Sequence, residues 1–210
     1  MFNPYNNQAS SFPQSHSFRG NQVDPINVVL EPTPEDGALL IGGIDAATNP
    51  YILQSHQIGA VLTVSNELSN ITFPAHINHM VIPVEDSNVS DISRFFAQAI
   101  DFIASCRNYT NVLVHCRVGA SRSATLILAY LMKEFGMGLN EAFGFLKEKR
   151  WKIHPNPGFM NQLRQFERFV FHKRRSNSFS GLPFGNDINN QLSMSVAQMG
   201  YPSRPNYAWF

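Results

Sequence analysis

The chain has 210 residues, 43% of them hydrophobic, with seventeen Phe and a net charge of +1. That is enough apolar material for one core and argues against disorder throughout, while the near-neutral balance argues against nucleic acid or an anionic membrane surface as partner. Two cysteines, Cys106 and Cys116, are too few for a disulfide scaffold and, with scattered histidines, for a structural zinc site.

Residues 1–27 are rich in Asn, Gln, Ser and Pro without any period and read as a disordered N-terminal arm. The chain opens on MFNPYNNQAS, which lacks the basic and apolar runs of a secretory leader, and no apolar stretch approaches the ~18 residues of a membrane span. A reducing compartment is therefore expected, cytoplasmic or nuclear.

Residues 28–174 carry the patterning of one folded domain. Ala38–Ile41 (ALLI), Ala60–Val64 (AVLTV, after a short helical stretch), Met80–Val84 (MVIPV) and Val112–Val114 are short apolar runs that predict buried strands. Apolar positions Ile92, Phe95, Phe96, Ala99, Ile103 and Cys106 recur at helical spacing and predict a helix over 91–106. A second helix is expected from about Ser121 to a stop at Gly136, and a third from Gly138, whose glycine cap forgoes a side-chain hydrogen bond. A fourth is expected from Asn156-Pro157 through Phe169. Strands followed by helices predict an α/β domain with a central, mainly parallel sheet flanked by helices.

Residues 175–210 are again Asn- and Ser-rich and predict a disordered tail. The aromatic end NYAWF fits a docking peptide, but a free end is the simpler reading. Lys173, Arg174 and Arg175 before Ser176 and Ser178 fit a kinase target, so regulation through the tails is one reading; cations favoured at a helix C-terminus are the simpler one.

The chemistry concentrates in Val112-Leu-Val-His-Cys-Arg-Val-Gly-Ala-Ser-Arg-Ser123, a strand running into a turn and then a helix. Successive N–H groups in such a turn form a concave nest for an anion, and the helix adds its free N-terminal donors and the positive end of its dipole. Arg117, Val118, Gly119, Ala120, Ser121 and Arg122 are the predicted phosphate-binding residues. The same donors lower the pKa of the Cys116 thiol, and the planar fork of Arg122 can hold two phosphoryl oxygens. Ser123 is placed to donate to the sulfur as it leaves.

The string His115-Cys116-x5-Arg122-Ser123 resembles the signature of the protein tyrosine phosphatases, and VLVHCRVGASRSATLILAYLMK resembles their dual-specificity branch, in its stand-alone form. LLIGG, AVLTV, IPVEDSNVSDI, EAFGFLKEKR and HPNPGFMNQL match as well, so the resemblance spans about residues 28–171. It implies the phosphatase fold, a phosphorylated protein substrate, no cofactor or metal, and Cys116 as nucleophile of a phosphocysteine intermediate. It also implies Asp86 as the acid that protonates the leaving oxygen and the base that activates water, on a loop able to close; Glu85 and Asp91 are weaker candidates. His115 is expected to order the site and tune the thiol. Asn156 is expected to cap its helix and, by its PNxGF-like segment, to support the loop. Arg117 either meets acidic neighbours of the phosphorylated residue or stands solvated. Cys106 completes an apolar stripe and is expected to be an inert buried thiol, the alternative being a redox partner of Cys116.

Three rivals remain. A phosphoinositide phosphatase shares the mechanism, but the turn RVGAS adds only one basic residue to it. A non-catalytic phosphate binder would have lost one of Cys116, Arg122 and Asp86, and all are present. A sulfurtransferase needs neither the Arg nor the upstream Asp.

Overall fold

The computed structural model describes residues 24–178, with side chains through residue 172. Five strands form one sheet in the order β1-β2-β5-β3-β4: β1 (Ile26–Leu30), β2 (Leu39–Gly42), β3 (Ile58–Val64), β4 (Asn78–Ile82) and β5 (Asn111–His115). β2, β5, β3 and β4 run parallel, and β1 pairs antiparallel with the outer edge of β2.

Both sheet faces are buried, which is why the strands read as continuous apolar runs rather than alternating ones. Alternate residues still point to opposite faces. Leu39, Ile41, Ala60, Leu62, Val112 and Val114 face the main core under α3 (Phe96–Arg107), α4 (Arg122–Glu134), α5 (Leu139–Lys149) and α6 (Pro157–Ser178). Leu40, Val61 and Leu113 face a smaller core under α1 (Ile44–Ala47) and α2 (Pro50–Ser55). The central helix is α4, where every residue from Arg122 to Met132 is buried. Truncating one of its leucines to alanine would cost roughly 2–5 kcal/mol.

The structure shifts several expected boundaries. The helix expected over 91–106 opens with a 3-10 turn, Ser93–Phe95, before α3 begins at Phe96. Its free N–H groups are met by side chains: Asp91 Oδ1 accepts from Ser93 Oγ and Arg94 N–H, and Gln162 Oε1 accepts from Ile92 and Ser93 N–H. Pro83, which lacks a donor, falls just past the end of β4 rather than inside it. The third helix starts at Gly138 as expected, and Glu167 of α6 supplies the acceptor the glycine lacks, taking Leu139 N–H at 2.7 Å. Helix α4 stops before Gly136, whose φ of 72° is the left-handed conformation glycine tolerates.

Compositional boundaries at 28 and 174 fall inside secondary structure. β1 takes in Ile26 and Asn27, and α6 continues to Ser178. The expectations for residues 1–23, for the tail beyond 178 with its NYAWF end, and for the side chains of Lys173 to Ser178 lie outside the described residues. Among the described residues no helix is long and apolar enough to cross a membrane.

Candidate active site

β5 ends at His115 and α4 begins at Arg122, so residues 116–121 form the turn between them at the C-terminal edge of the parallel strands. Gly119 adopts φ of 72°, and a Cβ there would collide with the Gly42 carbonyl, so the residue must be glycine. The loop's carbonyls are tied outward one after another. Ile44 N–H donates to Arg117 O at 3.0 Å, the Arg150 guanidinium to Val118 O at 3.2 Å and Gly119 O at 2.8 Å, and His154 N–H to Ala120 O at 2.7 Å. In a trans peptide the C=O and the following N–H point opposite ways, so these ties turn the N–H groups of residues 118–121 inward. An anion-binding nest results.

Cys116 sits at its floor, 2% exposed. Gly119 N–H donates to its sulfur at 3.2 Å, and Ser123 Oγ lies 3.3 Å from it. Burial pushes the thiol pKa up, but the Ser123 hydroxyl and N–H, the Gly119 N–H and the Arg122 charge outweigh it, and the net shift is downward.

Behind the cysteine lies a polar chain. His115 Nδ1 donates to Cys116 O at 3.2 Å, since a carbonyl can only accept. Its Nε2 is 2.8 Å from Thr63 Oγ1, which is also 2.8 Å from His79 Nε2. Burial drives the His115 pKa down to about 4, so the ring is neutral, Nε2 accepts from Thr63, and His79 donates to Thr63 in turn.

In front of the sulfur, the buried Arg122 is held by a fork-on-fork pair with Glu67, NH1 to Oε2 at 2.8 Å and NH2 to Oε1 at 2.7 Å. NH1 also donates to Ser65 Oγ and Val84 O. The Arg122 hydrogen bonds carry the Glu67 carboxyl down to about 2, against the effect of burial. Arg122 Nε is buried without a hydrogen-bond partner among the described residues, 3.8 Å from Asp86 Oδ2. Asp86 Oδ1 accepts from Ser121 Oγ at 2.7 Å and Asn156 Nδ2 at 2.9 Å, which leaves Oδ2 toward Arg122. The loop carrying Asp86 is docked on α6, where Gly158 approaches the Asn88 backbone and Gln162 Nε2 donates to Ser90 O.

The structure thus brings together Cys116, Asp86, Arg122, Ser121, Ser123, His115 and Asn156. Asn156 Oδ1 caps α6 at Phe159 N–H, its backbone N–H donates to Ser121 Oγ of the phosphate loop at 3.3 Å, and its Nδ2 holds Asp86. Arg117 and Val118 stand exposed on the rim. Asp91 serves the helix start instead of the site; Glu85 and Asp86 are both exposed, and of the two it is Asp86 that reaches Ser121, Asn156 and Arg122. Both cysteines are free. Cys106 bonds Asn78 at the opposite end of the sheet, and Asn78 pairs with Ala60, itself the partner of Val112. Four residues of strand, roughly 13 Å, separate that level from Cys116, too far for a disulfide.

Sequence reasoning missed Glu67, Thr63, His79 and Arg150. Each meets the site across a long stretch of chain; Thr63 and Arg150 lie in AVLTV and EAFGFLKEKR, but nothing in those strings assigns either residue a role. Among the described residues, no cluster of His, Cys, Asp and Glu could hold a metal ion.

Residues 39–169 match the family model for the dual specificity phosphatase catalytic domain. Over 133 residues the chain is 45% identical to human dual specificity protein phosphatase 1, covering 63% of this chain and 36% of that protein. It is 39% identical to dual specificity protein phosphatase 1B of Arabidopsis thaliana, covering 63% of this chain and 79% of that one. The match thus spans just over a third of the length of the first of these relatives. Among solved structures, the human tyrosine phosphatase-like serine/threonine/tyrosine-interacting protein superposes with a TM-score of 0.61 at 30% identity, over 70% of this chain and 97% of that one. A mouse putative dual specificity phosphatase complexed with zinc tungstate gives 0.65 at 27%, over 78% and 97%.

Proposed function

This chain belongs to the dual specificity phosphatase family, and from that premise we propose that it hydrolyses phosphotyrosine and phosphoserine or phosphothreonine in proteins through a phosphocysteine intermediate. The catalytic domain is residues 28–174 in this reading, extended at both ends by the rest of β1 and α6.

The Cys116 thiolate attacks phosphorus and the bond to the substrate oxygen breaks. Asp86 gives that oxygen its proton from Oδ2, since Oδ1 is already occupied by Ser121 and Asn156. Asp86 then takes a proton from water as the water oxygen attacks phosphorus and the S–P bond breaks. Ser123 donates to the departing sulfur. Throughout, inward N–H groups of the loop and Arg122 meet the charge on the phosphoryl oxygens.

The observation that carries this reading is the buried Arg122 Nε, without a hydrogen-bond partner among the described residues and 3.8 Å from Asp86 Oδ2. Such a donor costs free energy unless an oxygen acceptor meets it. The exposed Val118 on the rim and the absence of basic side chains other than Arg117 within the turn favour a protein over a phosphoinositide.

The test is phosphate release from p-nitrophenyl phosphate, a doubly phosphorylated Tyr/Thr peptide and a phosphoinositide, with reductant and chelator present. The reading expects turnover of the first two that is lost in Cys116→Ser. Turnover that survives this substitution, or is confined to the lipid, would contradict it.

A further inference from the structure

We propose that Arg150 is a positioning residue of the phosphate loop, one that aims the loop's N–H donors at the anion and lends the site a positive charge held in no ion pair among the described residues. This rests on the reading of Cys116 and its loop as the phosphate site.

Arg150 follows the last turn of α5 and is 1% exposed, the largest fully buried side chain among the described residues. Its Nε donates to Gly119 O and its NH2 to Val118 O. These are the two carbonyls whose outward direction turns the Gly119 and Ala120 N–H groups inward, and Gly119 N–H does donate to the Cys116 sulfur. The fork needs a close approach: a Cβ on Gly119 would come within 2.9 Å of Arg150 NH2. On its other side, NH1 donates to Asp24 O at 3.1 Å and to Asn27 Oδ1. One guanidinium thus fastens the phosphate loop to the start of β1.

The electrostatics differ from those of Arg122. Ion pairs among the described residues join Arg122 to Glu67 and Asp86, and none involves Arg150. Burial draws the Arg150 pKa down to about 10, while the charge on Cys116, then that of Asp24, pull it up. The coupling is reciprocal, so Arg150 stabilises the thiolate as the thiolate stabilises Arg150. With the Arg122 charge already shared by Glu67, the cation behind the loop, in no ion pair among the described residues, adds to the helix dipole in holding an oxyanion.

Two readouts that do not need turnover decide this: the pH profile of Cys116 alkylation by iodoacetamide, and inorganic phosphate binding, both on the full chain. Arg150→Met should raise the thiol pKa by roughly one unit and weaken phosphate roughly tenfold or more. Arg150→Lys keeps a charge without the fork, so the pKa should move little while phosphate weakens. Asn27→Asp keeps the fork but neutralises it, and should raise the pKa by about half a unit. Arg107→Met is the control for lost stability alone. Arg107 is equally buried, bonded to Gly37 O and Tyr130 OH near the opposite end of the sheet, and its loss should leave both readouts unchanged in folded protein.

If Arg150→Met does not fold, Arg150→Lys and Asn27→Asp decide. Wild-type pKa and phosphate affinity in the folded Arg150 and Asn27 variants would overturn the proposal, as would equal shifts in the Arg107 control. A wild-type chain that binds phosphate but hydrolyses no phosphoester would defeat the proposed function and leave this inference standing.

Discussion

In front of the phosphate loop, Arg122 lies against two carboxylates and keeps its Nε without a hydrogen-bond partner among the described residues. Behind the loop, the hydrogen-bond partners of Arg150 among the described residues are carbonyl and amide oxygens, and His115 is held neutral by burial beside Thr63. The front consists of groups whose charge is expected to act on the substrate, with Glu67 and Asn156 fixing where Arg122 and Asp86 point. The back is a frame that shapes the loop and sets the field around the sulfur. Substitutions in front should therefore change turnover at nearly constant stability, and substitutions behind should change stability or the thiol as well.

The largest effect is expected at Arg122. Lysine keeps the charge but loses the fork, so Arg122→Lys should lower kcat/KM for p-nitrophenyl phosphate roughly a thousandfold. Steady-state kinetics checks this, and a loss under tenfold would erase the distinction drawn for the front. Asp86→Asn comes next. It should slow a phosphotyrosine peptide about a hundredfold and p-nitrophenyl phosphate far less, because the aryl leaving group needs little protonation. Equal losses on both substrates would move the acid elsewhere.

The smallest effect belongs to the back, and it is one of stability. His115 has a folded pKa of about 4 against an ordinary 6.5, so between these values the unfolded chain binds more protons. The contribution of the neutral ring is full above the unfolded value and is lost as pH falls toward the folded one. At about pH 5 the loss should be on the order of 2 kcal/mol. Urea unfolding at neutral and mildly acid pH measures it, and His115→Gln should remove that part of the slope. An unchanged slope would place the proton elsewhere, His79 being the nearest alternative.

The front was far more legible in the sequence than the back. Cys116, Arg122 and Ser123 stand within one strand–turn–helix string, and Asp86 stands in the segment IPVEDSNVSDI. Buried strands such as AVLTV announce themselves because both sheet faces are covered. Arg150 looked like one more cation in KEKRWK at the end of a helix, where solvated charge is the rule, and only tertiary contact shows it buried. Glu67 is a lone acid in a polar loop, 55 residues from the arginine it pairs with. Thr63 lies in β3 within an apolar run, and nothing in that run marks a hydroxyl shared by two histidines. β1 went unseen because it borders a polar arm and its role is to cover an edge, a property of the sheet rather than of five residues.

The central claim is that Cys116 carries the phosphoryl group between two half-reactions. Acid-quenching Ser123→Ala during turnover of a phosphopeptide, followed by peptide mass spectrometry, tests it most directly, because loss of the Ser123 donor slows release of the sulfur and lets the intermediate build up. The account predicts a phosphoryl group on Cys116 that is absent in Cys116→Ser. Continued turnover with phosphate on another residue, or on none, would contradict it.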